Sequence, residues 1–318
     1  MKFLSCIYSL LLLSSCSLSD EFEFDEPVSQ HVNICVLGNS FSNDSFSYIP
    51  FILREYGITC KIHIYYRGSG SLHDLDVQWN DAKEVGLADL DGKNHVRRHY
   101  SIDTRYTNKW QQDSIMSAND IVKIDKWDIV SLQQGGNRAK DPNTYTPYLG
   151  HIINRIDSLC PYEYDLTWFM AYNGSRDNKL EGANMASLET QKMVVESYPF
   201  DLAFPVATAV FNCQKTDSLS ILGDSYYKKM YSSDDTHLQE GLPCYAAALS
   251  IAEAILRKYK PECSVMGNST RPTASWLKSI NSITPNGSST GVTEYNCNLA
   301  QRIAIYANDN KFEIGFEE

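Results

Sequence analysis

Two short segments carry side chains able to do covalent chemistry. In "NICVLGNSFSND", residues 33–44, four apolar residues run straight into Gly38, Asn39 and Ser40. A hydroxyl at the carboxyl end of a buried strand, beside the N–H groups that open a helix, can attack a carbonyl whose developing oxyanion those groups hold. The same spacing also suits a helix cap formed by Ser40 or Ser42. In "SSDDTHLQEG", residues 232–241, Asp234 and His237 stand three apart. Within one turn of chain the carboxylate reaches imidazole Nδ1 and leaves Nε2 outward, the tautomer a general base needs. Asp235 is the neighbouring alternative, and the bland reading is an acidic loop capping the next helix with His237 solvated. His31, His63, His73, His95, His99 and His151 lack a carboxylate at this spacing, the adjacent His73 and Asp74 aside.

Donors for an oxyanion come from two further turns. "RGSGSLHD", residues 67–74, offers the N–H of Gly68 or Gly70, since neither carries a Cβ to block approach. "LQQGGN", residues 132–137, offers the side-chain amides of Gln133, Gln134 and Asn137.

These turns need a scaffold that ends several strands at one edge. Apolar runs at residues 32–38, 58–68, 126–136, 165–174 and 200–211 read as five buried strands. Helical stretches alternate with them, at residues 47–57, around "YTPYLGHIINRIDSLC" and "ASLETQKMVVESYP", and at 242–260. That alternation predicts an α/β fold with a mostly parallel sheet. Between the second and third strands, "HVRRHYSIDTRYTNKWQ" alternates like an added hairpin with "LDGKN" as its turn, and "AQRIAIYANDNKFEIGF" reads as a hairpin turning at "NDNK".

The 318 residues carry a net charge of -11, and no basic cluster is longer than "VRRHY", residues 96–100, which excludes nucleic acid as a partner. The opening "MKFLSCIYSLLLLSSC" is an export signal, residues 1–16, and its "LSSC" ending resembles a bacterial lipobox that would acylate Cys16. Residues 17–30 form an acidic tether, residues 31–262 the main domain, and 263–318 a C-terminal extension on the same domain. The expectation is an exported protein, lipid-anchored in the bacterial cell envelope at the outer membrane or cell surface, touching membrane only through that lipid. Among the nine cysteines, Cys35, Cys60 and Cys213 read as buried hydrophobes, while Cys244, Cys263 and Cys297 are placed for a disulfide. No His/Cys spacing supports a metal.

A Gly-x-Ser after the first strand, a Gly after the second, a Gly-x-Asn after the third and an Asp-x-x-His before a late helix together resemble the SGNH, or GDSL-like, hydrolase superfamily, from about residue 32 to 260. The resemblance is to an exported bacterial subgroup of largely unassigned activity. It implies a flavodoxin-like three-layer α/β/α sandwich, no cofactor, and ester hydrolysis through a serine acyl-enzyme. Ser40 would be the nucleophile, His237 the base and Asp234 its orienter. The donors would be the N–H of Ser40, that of Gly70 or Gly68, and the amide of Asn137, with Gln134 as the other candidate. Two departures stand out: Asn39 replaces an acid in the first block, and no Asp follows "QQGGN". The substrate expected is an acylated carbohydrate, acetylated foremost, or another small ester. Glycan binding without turnover and lipase or thioesterase activity are the alternatives.

Overall fold

The computed structural model describes residues 30–82, 85–88, 94–173, 181–216, 231, 236–271 and 293–318. The export signal with Cys16, nearly all of the tether, most of the "LDGKN" turn, and both Asp234 and Asp235 lie outside the described residues.

The first strand, β1 (Gln30–Gly38), starts on the last residue assigned to the tether and is flanked by two parallel neighbours, β2 (Ile58–Arg67) and β6 (Ile129–Gln133). Its residues Ile34, Cys35, Val36 and Leu37 are at most 1 % exposed, so both faces are covered, which is why this strand reads as an unbroken apolar run. The parallel ladder continues through β7 (Asp165–Phe169) to β8 (Leu202–Phe204). The five parallel strands therefore run β2-β1-β6-β7-β8, the flavodoxin-like order that the SGNH resemblance implies. An antiparallel addition of β3 (Val85–Ala88), β4 (Asn94–Asp103) and β5 (Gln111–Asp113) pairs onto β2 through β4 and brings the sheet to eight strands rather than five.

Helices α1 (Ser40–Phe46), α2 (Ile49–Arg54), α7 (Val206–Lys215), α8 (Leu242–Tyr259) and α9 (Glu294–Asp309) pack as one layer. Helices α3 (Leu72–Val77), α4 (Ala118–Lys123) and α5 (Tyr148–Leu159) form another, and α6 (Glu181–Ser197) packs on α7. Pro50 does not disrupt α2 because it sits in the first turn, where its missing N–H would have had no partner.

Three expectations are corrected. The fifth apolar run is a strand only to Phe204; Pro205 stops it, and residues 206–215 form α7 instead, every residue through Gln214 buried. A helix buried all round loses its polar stripe and mimics a buried strand in sequence. The predicted C-terminal hairpin is the helix α9: Leu299, Ala300, Ile303, Ala304 and Ala307 are buried at spacings of one, three, one and three, a helical stripe, and Thr293 caps its start by accepting from the N–H of Asn296. Cys244, Cys263 and Cys297 form no disulfide; all seven described cysteines are free thiols, and Cys244 is sealed in the core with its Sγ directed at the carbonyl of Leu238.

Candidate active site

The order of strands reverses between β1 and β6, and a doubly wound sheet opens its crevice at the carboxyl ends of such a pair. Ser40 follows β1 and "QGGN" follows β6, so two of the four turns are brought to that point by topology alone.

The helix cap is Asn39, and neither serine fills that role. Asn39 Oδ1 accepts from the N–H of Phe41 at 3.0 Å and from Gln133 Nε2 at 2.6 Å, while its Nδ2 donates to the carbonyl of Gly70 at 2.9 Å. Ser42 donates to Gln133 Oε1, a contact that leaves no room for a Cβ on Gly38. Gln133 thereby ties the start of α1 to the end of β6. Ser40 retains 9 % exposure, and among the described residues its Oγ makes no hydrogen bond.

Phe41 links the nucleophile candidate to the base candidate. Its ring lies 4.3 Å from the Tyr172 ring and 6.0 Å, edge-on, from the imidazole of His237. Gly136 makes this possible, since a Cβ there would overlap the Phe41 ring and the carbonyl of Tyr172. The turn holding His237 is pinned to α1 by Asp44, which is 2 % exposed: its Oδ2 accepts from the N–H of Leu238 at 3.0 Å and from the Tyr172 hydroxyl at 2.7 Å. Burial and the Asp44 carboxylate raise the Tyr172 phenol well above its ordinary value, so it stays protonated and donates. The N–H of Gly241 donates to Tyr48 Oη at 3.1 Å, and the φ of 99° at Gly241 is one that L side chains rarely adopt. His237 Nε2 is shielded from solvent. The contact between this turn and His237, almost two hundred positions on, is thus made by Phe41, the residue after Ser40, and no hydrogen bond joins Ser40 Oγ to the ring.

The expected oxyanion donors fare differently. The N–H of Gly68 donates to the carbonyl of Val96 at 3.0 Å and that of Gly70 to the carbonyl of Arg67 at 2.9 Å, so both are spent within the scaffold. The left-handed residue of this turn is Ser69, with a φ of 51°, and neither glycine. Gly70 is required instead by its close approach to Arg67, where a Cβ would come within 2.9 Å of the carbonyl. Gln134 is fully buried and saturated: Oε1 accepts from Leu72 and Gly135 N–H at 3.1 and 2.9 Å, and Nε2 donates to the carbonyl and hydroxyl of Thr144. Asn137 is exposed and folds over Gly135, whose absent Cβ would lie 3.6 Å from Asn137 Oδ1 and 3.3 Å from the carbonyl of Gly70.

No protein-family model matches the chain, and no curated protein matches it in sequence. Among solved structures, the crystal structure of a DUF4886 family protein from Bacteroides uniformis aligns with a TM-score of 0.68 at 18 % identity, over 90 % of this chain and 97 % of that one. This chain has the DUF4886 protein's fold. A candidate SGNH hydrolase from Slackia heliotrinireducens aligns at 14 % identity with a TM-score of 0.41, over 71 % of this chain and 99 % of that one.

Two residues of the site escaped the sequence. Asp44 could have been noticed as the one carboxylate of the helix SFSNDSF, four positions after Ser40, and Phe41 only through its contacts. Among the described residues no group of three His, Cys, Asp or Glu could hold a metal, and no helix is long and apolar enough to cross a membrane.

Proposed function

We propose that the protein is a serine ester hydrolase that removes small acyl groups, acetyl foremost, from a carbohydrate in the bacterial cell envelope. The observation that carries this reading is a serine hydroxyl with no structural role. Asn39 caps the helix and Ser42 holds Gln133, which leaves Ser40 Oγ uncommitted at the switch point, one residue from the ring that packs on His237.

Ser40 Oγ attacks the ester carbonyl and passes its proton to the His237 ring. The N–H of Ser40 and the amide of Asn137 hold the tetrahedral oxyanion, each worth ~3 kcal/mol of barrier. Collapse of that intermediate breaks the C–O bond, and the leaving alcohol takes the proton from the imidazolium. Water, deprotonated by the ring, then attacks the acyl-enzyme, releasing the carboxylic acid and restoring Ser40. Asp234 is assigned the role of orienting the imidazole. The preference for a carbohydrate rests on the expected surface anchoring through Cys16 and on the supply of aromatic rings, 20 Tyr and 5 Trp, for sugar faces.

The test is hydrolysis of p-nitrophenyl acetate by the wild-type and Ser40→Ala proteins, with fluorophosphonate labelling mapped by mass spectrometry. Labelling at Ser40 and a loss of at least about 1000-fold in kcat for Ser40→Ala are expected. Equal rates would remove the serine mechanism, and no hydrolysis of any ester would favour a glycan-binding protein on the same fold.

A further inference from the structure

Away from the switch point, the antiparallel addition and β2 line an open cavity of about 520 Å³, a size that takes a small ligand. Its wall includes Lys61 and His63 of β2 and His99 and Ser101 of β4. In the sheet register Cys35 lies beside His63 and Asn33 beside Lys61, five and seven residues before Ser40 along β1. At ~3.3 Å per residue the cavity is therefore roughly 16–23 Å from the serine.

The charges on this wall are largely paired. Lys61 Nζ meets Asp125 at 2.5 Å, and Arg105 holds Asp103 through two bonds of 2.9 and 2.6 Å. His63 Nδ1 and His99 Nε2 are 2.9 Å apart, so one ring donates to the other. Burial, with the neighbouring ring second, lowers His63 to about 4, and burial also lowers His99, so both rings are neutral at ordinary pH. His99 Nδ1 faces the Asp113 carboxylate at 3.8 Å and the Ser114 main chain. The tautomer consistent with that carboxylate places the proton on His99 Nδ1, makes Nε2 accept from His63 Nδ1, and leaves His63 Nε2 an acceptor. His99 is 2 % exposed, and its Nδ1 is buried without a hydrogen bond of good geometry. At the rim stands Tyr106, 80 % exposed, with the Arg105 guanidinium 5.4 Å from the ring centre.

We infer that this cavity is a second binding site, for a neutral saccharide, with one sugar ring packed on Tyr106 and its hydroxyls bonded by Asp113, Gln111 and His63. An anionic ligand would meet the Asp113 carboxylate, whereas sugar hydroxyls can donate both to that carboxylate and to the imidazole acceptor. A flat, exposed ring beside a wall that sets imidazole, carboxylate and amide groups among Ile102, Met116 and Ile124 offers the mixed apolar and polar faces of a pyranose what each needs. The site stands independently of the hydrolase reading, because it shares no residue with the Ser40 cluster.

Calorimetric titration of the full chain with unesterified glucose, galactose, mannose, xylose and N-acetylglucosamine tests it. At least one sugar is expected to bind with Kd on the order of 1 mM, equally in wild type and Ser40→Ala. Tyr106→Ala should weaken that binding roughly 5–10-fold and Asp113→Asn about 10-fold or more, with p-nitrophenyl acetate hydrolysis unchanged in both. Tyr106 is exposed, so its variant keeps the fold even if Asp113→Asn does not. Saturable binding of none of these sugars, or binding untouched by both Tyr106→Ala and Gln111→Ala, would overturn the assignment. So would zinc chloride binding that is lost in His63→Ala, in the absence of any sugar binding.

Discussion

Replacing Asn39 by aspartate inserts the acid that the SGNH resemblance expects at this position, and the surroundings of residue 39 make it destabilising at neutral pH. The capping contribution cancels, because Asn and Asp are comparable N-caps and both can accept from the N–H of Phe41 and from Gln133 Nε2. What changes is the third bond: Nδ2, which donates to the Gly70 carbonyl at 2.9 Å, becomes an oxygen facing an oxygen in a site where residue 39 is 2 % exposed. Losing one hydrogen bond costs about 1 kcal/mol and leaving the buried carbonyl unsatisfied another 1–2, so Asn39→Asp should lose ~2–3 kcal/mol at pH 7. Protonation of the new carboxyl restores a donor, so its pKa in the folded protein is raised above the unfolded value near 4. The sign follows: the restored bond is fully present below the unfolded pKa and is lost as pH rises through the folded one, and the variant approaches wild type on acidification. Urea unfolding at pH 7, 6, 5 and 4, with matched m-values, measures the difference. Equal stability at pH 7, or a deficit that does not shrink toward pH 4, would refute the reasoning.

Asp44→Ala should leave the Leu238 N–H and the Tyr172 hydroxyl without their shared acceptor, costing about 2–4 kcal/mol, and should lower kcat on p-nitrophenyl acetate more than KM because the turn holding His237 loses its anchor; an unchanged unfolding midpoint would contradict this. Gly136→Ala forces a methyl into the Phe41 ring and the Tyr172 carbonyl, and thermal unfolding should show a loss on the order of 1–3 kcal/mol together with reduced fluorophosphonate labelling of Ser40, whereas Gly150→Ala, where a Cβ meets nothing within 4 Å, should show neither.

The parallel strands and the turns that end them were legible in the sequence because burial on both faces leaves a run of apolar residues that a polar or glycine-rich turn interrupts, as at Leu37 to Ser40 and at Leu132 to Asn137. Where burial is complete the pattern loses its period, so residues 206–211 resemble a strand although Pro205 opens a helix there. Hydrogen-bond commitments were the least legible part of the site. Nothing in "GNS" says that Asn39 and not a serine caps the helix, and nothing in "RGSG" says that both glycine N–H groups are already taken. Residue types and their order along the chain decide which groups can react, since those are chemical properties of single side chains. Only the tertiary structure decides which of them are left over to do so, because a donor or acceptor is spent or spared by partners such as Gly70 for Asn39, Thr144 for Gln134 and Leu238 for Asp44, which lie 31, 10 and 194 positions away.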